Sequence, residues 1–206
     1  MVKNTSGSGD AARAEGNRRA DLLIAAARLM REKGYAATTI RDMAGAVGMG
    51  SGSPFCHFRS KEEILGEIAR LGMDAALTRA EALVAHHSLS ARERLKALLH
   101  LHTDLLHGPD ADFAVVMLRE WRSLAPEARA RLTAAMERYE SIWRDCLHAL
   151  PTAQHLSADT AAAARLILGS LNWSLHWFPH EAPPDTRQLA DTVARIFLAE
   201  PTLGTA

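Results

Sequence analysis

Apolar residues recur along almost the whole chain at the period of an α-helix. From Arg18 onward, Leu22, Ala26, Leu29 and Met30 form an i, i+4, i+7, i+8 stripe, and Gly34 stands where a left-handed C-terminal cap belongs. The pattern predicts a first helix ending there. Residues 1–16 are rich in Gly, Ser, Ala and Asn without an apolar face, which predicts a mobile tail. Thr39 with Asp42 three positions later reads as the start of a short helix through Ala46, closed by Gly48. A third short element is predicted to end at Phe58. Ser60 and Glu63 make a capping box ahead of a long helix carrying Leu65, Ala69, Gly72, Ala76 and Leu83. Ser90 and Glu93 make another, ahead of a helix that reaches about His107 before the Gly108-Pro109 break.

The second half repeats this grammar. Phe113 to Leu124 is predicted as one helix, and Pro126 suits the first turn of the next, which runs to about Leu150 and stops before Pro151. Ser157 is expected to cap a helix through Trp177. The proline-rich stretch 179–184 breaks it, and Leu189, Val193, Ile196 and Phe197 mark a last amphipathic helix. About nine helices and no convincing strand predict an all-α fold. No repeat of 30 to 50 residues is visible. The expected organisation is a tail (1–16), a three-helix head (17–62) and a larger helical body (63–206).

Two short helices joined by a tight Gly-containing turn near the N-terminus form a helix-turn-helix arrangement, whose second helix enters the major groove of DNA. Charge at first speaks against it, because 24 basic and 24 acidic side chains give a net charge of zero. Dividing the chain changes the picture: residues 1–65 carry ten Lys/Arg and seven Asp/Glu, so the head is basic and the body acidic. The two cysteines, Cys56 and Cys146, lack metal-binding spacing and predict free thiols in a reducing compartment. No apolar run follows Lys3, so no signal peptide is expected, and the placement expected is cytoplasmic. Residues 161–179 are the most apolar window, but Arg165, Asn172 and His176 interrupt it, which predicts a buried helix and no membrane partner. There is no phosphate loop, HExxH or nucleophile with a paired base, so neither an enzyme nor a cofactor is expected.

Within residues 18–65, the runs KGY-x-x-TT-I-R-D-M-A, G-x-x-x-G-S and H-F-x-S-K-E stand in fixed order, and this head closely resembles the DNA-binding domain of TetR-type transcriptional repressors. The resemblance implies that Tyr35, Ile40, Met43, Ala44, Val47 and Phe58 form the small core of the head. It implies that Thr39 faces a phosphate, that Ser51, Gly52 and Ser53 open the recognition helix, and that Phe55, His57 and Lys61 meet bases and backbone. Arg18, Arg19 and Arg41 are the remaining expected DNA contacts. The simpler alternatives are core packing for Phe55 and a solvated helix start for Lys61. The sequence also departs from the family pattern, with Ser51 replacing the usual cation, Pro54 an aliphatic residue, and Phe55 and Cys56 tyrosines. Each lost contact removes a salt-dependent contribution to affinity, so binding should lean on Arg18, Arg19 and the tail. Pro54 lacks an N–H and predicts a short, late-starting recognition helix. Cys56 beside His57 raises a redox switch as an alternative to an inert, packed thiol.

In TetR-like proteins the other helices form an effector chamber and a dimer surface. The helix after Ser157 has two apolar faces, and a helix apolar all round is buried on both sides. Ala161, Ala164, Leu168, Leu171 and Leu175, with Leu189, Val193, Ile196 and Phe197 of the last helix, are the expected homodimer face. Leu166, Gly169, Ser170, Trp173 and Trp177 lie on the other. Met73, Leu77, Leu99, Met117, Trp121, Tyr139, Trp143 and Trp173 are candidate walls of an apolar tunnel, with Arg119, Glu120, Asn172 and His176 as polar anchors. The stretch LNWSLHWFPHEAPP resembles the C-terminal pattern of TetR regulators of fatty-acid and sterol catabolism, which implies an acyl-CoA or other apolar effector. His100, Asp104 and His107 share one helical face and are a conceivable divalent-metal set. The leading reading is a homodimeric, ligand-responsive repressor of double-stranded DNA, in which ligand entry moves the helix opening at Lys61. The competing readings are a redox- or metal-responsive regulator, an activator on the same fold, and a helical small-molecule carrier.

Overall fold

Glycine sets the two ends that frame the head. Gly34 (φ +82°) and Gly48 (φ +65°) are the positive-φ residues among those described, and each ends a helical segment where the sequence predicts a cap. The computed structural model describes residues 7–50, 57–86, 88–151, 159–177 and 185–198, with side chains from residue 16. Helix α1 spans Gly7–Lys33, so it begins well before Arg18 and includes most of the segment expected to be a mobile tail. The run DAARAEGNRRA is rich in Ala and Arg, strong helix formers that extend a helix already nucleated by the apolar stripe behind it.

Helix α2 (Ile40–Ala46) starts at a complete capping box: Asp42 N–H donates to Thr39 Oγ1, and Asp42 Oδ2 accepts from Thr39 N–H at 2.9 Å. Helix α3 (Lys61–Val84) is capped by Ser60, while the Glu63 carboxylate reaches back one residue further, to Arg59 N–H at 2.6 Å. Helix α4 (Ala91–His107) has both arms of the predicted Ser90/Glu93 box. The predicted 113–124 helix is divided into α5 (Asp112–Arg119) and one 3-10 turn, Trp121–Ser123, which points Trp121 and Glu120 in different directions. Helix α6 (Pro126–His148) has proline at its first position, as predicted. Helix α7 (Thr160–Trp173) is capped by Asp159, whose carboxylate accepts from Ala161 and Ala162 N–H at 3.0 Å; Ser157 lies outside the described residues. A 3-10 turn follows it, and α8 (Thr186–Phe197) starts at Asp185.

These eight described helices are an all-α fold around one continuous core. Leu22, Met30, Met43 and Phe58 of the head join, through Ile64, Leu65 and Ile68 of α3, to Leu98, Trp143 and Leu171 of the body. Burying each such side chain contributes roughly 1.5–3 kcal/mol. Helix α3 is therefore shared by head and body, and it packs on α5 and α6. A Cβ on Gly72 would lie 2.9 Å from the backbone carbon and oxygen of Phe113, so only glycine lets α3 and α5 approach this closely.

Burial divides the expected dimer face. Ala164, Leu171 and Leu175 pack into the protomer's own core, as do Leu189 and Val193 of α8, which lies against α4. Leu168, Ala161 and Phe197 are half-buried. Ile196, also of the expected face, is 56% exposed, and on the other side of α7 Leu166 is 63% exposed and Trp173 62%. Both faces of α7 are apolar, and contact with α6 and α4 selects which turns inward. Among the described residues no helix is long and apolar enough to cross a membrane.

Candidate DNA-binding head and effector cavity

The head brings only some of the predicted DNA contacts to its surface. Met43, Ala44 and Phe58 are buried and Tyr35, Ile40 and Val47 pack on them, which is the small core expected. Arg18, Thr39 and Arg41 are exposed, and His57 is half-buried. Arg19 is engaged internally: its guanidinium lies 2.9 Å from Glu67 and 4.7 Å above the Phe58 ring. Arg70 and Arg19 together hold the Glu67 carboxyl down at about 2. Lys61 is likewise not a free cation. Its Nζ donates to the carbonyls of Tyr35 (3.0 Å), Ala36 (3.4 Å) and Thr38 (3.0 Å) and sits 4.2 Å from the Tyr35 ring centre. Three N–H bonds and three carbonyls match, so this ammonium ties α3 to the turn before α2 and has no donor left for DNA. Burial, followed by the hydrogen bond and charge of Glu62, pushes the Tyr35 phenol up to about 12. Ser51, Gly52, Ser53, Pro54, Phe55 and Cys56 lie outside the described residues.

Between α3, α4, α5, α6 and α7 lies a cavity of about 500 Å³. Met73, Met117, Trp121, Tyr139 and Asn172, all predicted, line it together with Ala76, Leu105, Leu106, Ala114 and Leu168. Its rim carries Glu140 and Arg165, paired at 2.8 Å. The polar centre is His102, which the sequence reading did not single out. His102 Nδ1 lies 3.0 Å from the Tyr139 hydroxyl and Nε2 lies 3.0 Å from Asn172 Oδ1. An amide oxygen only accepts, so Nε2 carries the proton, and Nδ1 accepts from the phenol. Burial drives the ring's pKa down to about 4, despite the opposing hydrogen bond to Asn172, so it is neutral at pH 7. Burial also raises the Tyr139 phenol. The signal was present: His102 falls at helical spacing between Leu98, Leu99 and Leu105, Leu106, an ionisable residue on an inward stripe.

Other predicted wall residues lie elsewhere. Leu99 and Trp143 are fully buried in the core, with the Trp143 ring edge-on to His102 at 5.8 Å, and Leu77 is half-buried off the cavity. Trp173 and His176 stack at 4.2 Å on the outside, bordering a groove with Arg119 and Leu175 that meets the cavity at Leu118, Gly169 and Asn172. Glu120 turns away from the cavity toward the head. The proposed metal set is taken apart by separate partners: His100 pairs with Asp191 (3.1 Å), Asp104 accepts from Thr186 (2.9 Å) and His107 lies 2.7 Å from Ser174 Oγ. Cys146 is buried, which raises its thiol pKa and leaves it poorly nucleophilic.

Both parts of this architecture match known proteins. Residues 22–68 match the profile described as bacterial regulatory proteins, tetR family, and residues 88–200 that of the tetracyclin repressor-like C-terminal domain. The HTH-type transcriptional repressor KstR2 of Rhodococcus jostii is 29% identical over 184 residues, 88% of each chain. The TetR-family regulator PfmR from Thermus thermophilus superposes with a TM-score of 0.75 at 32% identity, covering 84% of this chain and 94% of PfmR. AibR, solved with isovaleryl coenzyme A and operator DNA, superposes with a TM-score of 0.76 at 25% identity, covering 87% of this chain and 97% of its own. With head and body both matched, the chain belongs to the TetR family of bacterial regulatory proteins and is a DNA-binding transcriptional regulator, not an enzyme.

Proposed function

We propose that this protein is a cytoplasmic repressor that binds a palindromic duplex as a homodimer and releases it when an apolar or acyl-CoA-like molecule enters the cavity. The observation that carries this reading is the cavity: about 500 Å³, walled by thioethers, aromatic rings and aliphatic side chains, with one neutral His-Tyr-Asn set inside and Arg165 at the rim. A largely apolar chamber with few convergent polar groups suits a hydrocarbon chain carrying one carbonyl. The Asn172 NH2 group is the donor such a carbonyl could meet, and Arg165 and Arg119 suit an anionic head group. The complex of AibR with isovaleryl coenzyme A supports the same ligand class, and the repressor name of KstR2 supports repression.

On the DNA side, Arg18, Thr39 and Arg41 are the contacts best supported by exposure, together with Ser51, Gly52, Ser53, Phe55 and His57 from the family resemblance. Leu166 and Trp173 of α7, with Ile196 of α8, are the apolar surface offered to a second copy, and Gly169 and Ser170 between them permit close approach. The test is fluorescence anisotropy with a duplex selected by the protein from a random pool. Binding should weaken as salt rises, and acyl-CoAs from isovaleryl to palmitoyl should release the duplex while free coenzyme A does not. Binding that ignores salt, or no selected duplex, refutes the DNA reading; no release by any acyl-CoA refutes the effector class.

A further inference from the structure

Glu120 stands at the end of α5, one residue before Trp121 of the cavity wall, yet its carboxylate serves the head. Oε1 accepts the backbone N–H of Tyr35 at 3.0 Å, 85 residues away in sequence, and Oε2 accepts the Ser123 hydroxyl at 3.1 Å. The carbonyl of the same Tyr35 accepts from Lys61 Nζ at 3.0 Å. One peptide segment of the α1–α2 turn is therefore held by an anion from α5 on its N–H and by a cation from α3 on its C=O. Both bonds are charge-assisted, the stronger kind. Gly34, immediately before, turns at φ +82°, and a Cβ there would lie 3.6 Å from Glu120 Oε1, so the chain leaves α1 over this carboxylate.

The other side of α5 faces the cavity through Ala114, Met117 and Leu118. The helix has little slack: its backbone touches α3 at Gly72, and Asp112 at its start pairs with Arg31 of α1 at 2.8 Å. An occupant pressing on Met117 or Trp121 thus displaces the segment that carries Glu120. We propose that Glu120 is a positioning residue that couples the cavity to the DNA-reading head: it holds Tyr35, and displacement of the wall by an occupant withdraws the acceptor and frees the turn that delivers α2. The proposal rests on the effector reading above and adds a second route beside α3, since the turn answers to both helices.

The test uses the full chain without DNA, following amide exchange at Tyr35 by NMR. Glu120→Ala should accelerate it at least about tenfold, while Glu120→Gln, which keeps an acceptor oxygen, should stay within about threefold. Filling the cavity from the opposite wall with Leu168→Trp should give a similar acceleration when Glu120 is present and none further in Glu120→Ala. Ala114→Phe fills it from α5 if the first variant does not fold. A Glu120→Ala rate within about threefold of the unsubstituted chain overturns the proposal. So does a folded, cavity-filled variant whose Tyr35 rate is unchanged, because a passive staple would ignore the cavity. If acyl-CoAs fail to release DNA while Tyr35 responds to filling, the effector class falls and the coupling stands; the reverse result removes the coupling alone.

Discussion

His102 and Tyr139 face each other across the cavity wall with 3.0 Å between Nδ1 and the phenolic oxygen, and Asn172 lies as close to the other ring nitrogen. All hydrogen-bonding capacity of the neutral imidazole is thereby met in a buried place. His102→Leu leaves the Tyr139 hydroxyl and the Asn172 oxygen without their partner and should destabilise the fold by about 1–3 kcal/mol, read from urea unfolding. Tyr139→Phe removes only a donor and should cost less, about 1 kcal/mol. Equal costs for the two variants would contradict the tautomer assigned above.

The same residue makes stability depend on pH. His102 titrates near 4 in the fold and near 6.5 when free, so between these values the unfolded chain binds the proton and the native chain does not. Stability is complete above about pH 6.5, falls as pH drops through the window and levels off below 4, with a limiting slope of about 1.4 kcal/mol per pH unit. Glu67, held near 2 by Arg70 and Arg19, loses its contribution in a lower window, from its ordinary 4.5 downward. Urea midpoints at pH 7, 6 and 5 should therefore decline in the native sequence and decline much less in His102→Gln. Parallel curves for the two proteins would remove His102 as the cause.

Three glycines should respond differently to alanine. Gly72→Ala places a Cβ 2.9 Å from the Phe113 carbonyl group, a backbone contact that cannot yield, and should destabilise by roughly 1–3 kcal/mol. Gly34→Ala forces a Cβ onto φ +82° and should cost about 1 kcal/mol. Gly45, inside α2 with open space around its Cβ position, should gain about 0.5–1 kcal/mol. Thermal unfolding of the three single variants gives the order, and a stable Gly72→Ala would mean that α3 and α5 are less closely packed than described.

Local chemistry explains what was legible in the sequence. Caps are decided by residues three apart, so Thr39/Asp42, Ser90/Glu93 and the two positive-φ glycines were readable before any tertiary contact was known. The inward face of α7 was not, because two apolar faces compete and only the packing of α6 and α4 chooses Ala164 and Leu171 over Leu166 and Trp173. The partners of Lys61 were hidden for a similar reason: its carbonyl cradle exists only once residues 35–38 have turned. In the cavity, residue type identified Met73, Met117, Trp121, Tyr139 and Asn172, but type alone could not separate them from Leu99 and Trp143 in the core.

The roles of Arg41 and Lys61 can be separated by salt. Arg41 is exposed beside the capped start of α2, so Arg41→Ala should weaken DNA binding and reduce the slope of log affinity against log salt by about one. Lys61→Met instead strips three carbonyls of their donor. It should lower stability by about 1–3 kcal/mol and, at temperatures where the head stays folded, leave the salt slope unchanged. A slope reduced by Lys61→Met as much as by Arg41→Ala would restore Lys61 as a phosphate contact.

The dimer surface proposed on the outer face of α7 makes a prediction opposite to that of Leu171 on the face first read from sequence. Trp173 is 62% exposed and Leu166 63%, so Trp173→Asp or Leu166→Asp adds a charge to a solvated position and should leave the protomer folded. In a dimer interface the same charge is buried without a partner, which weakens association by several kcal/mol. Sedimentation equilibrium should then show monomers at concentrations where the native chain is dimeric, with unchanged helical circular dichroism. Leu171 is fully buried, and Leu171→Ala should cost about 2–5 kcal/mol of folding stability through the cavity it leaves. A monomer carries one head, so it also loses the simultaneous engagement of two half-sites about 34 Å apart. Trp173→Asp should therefore weaken binding to a palindrome far more than to an isolated half-site, and an intact dimer in both aspartate variants would place the interface on another surface.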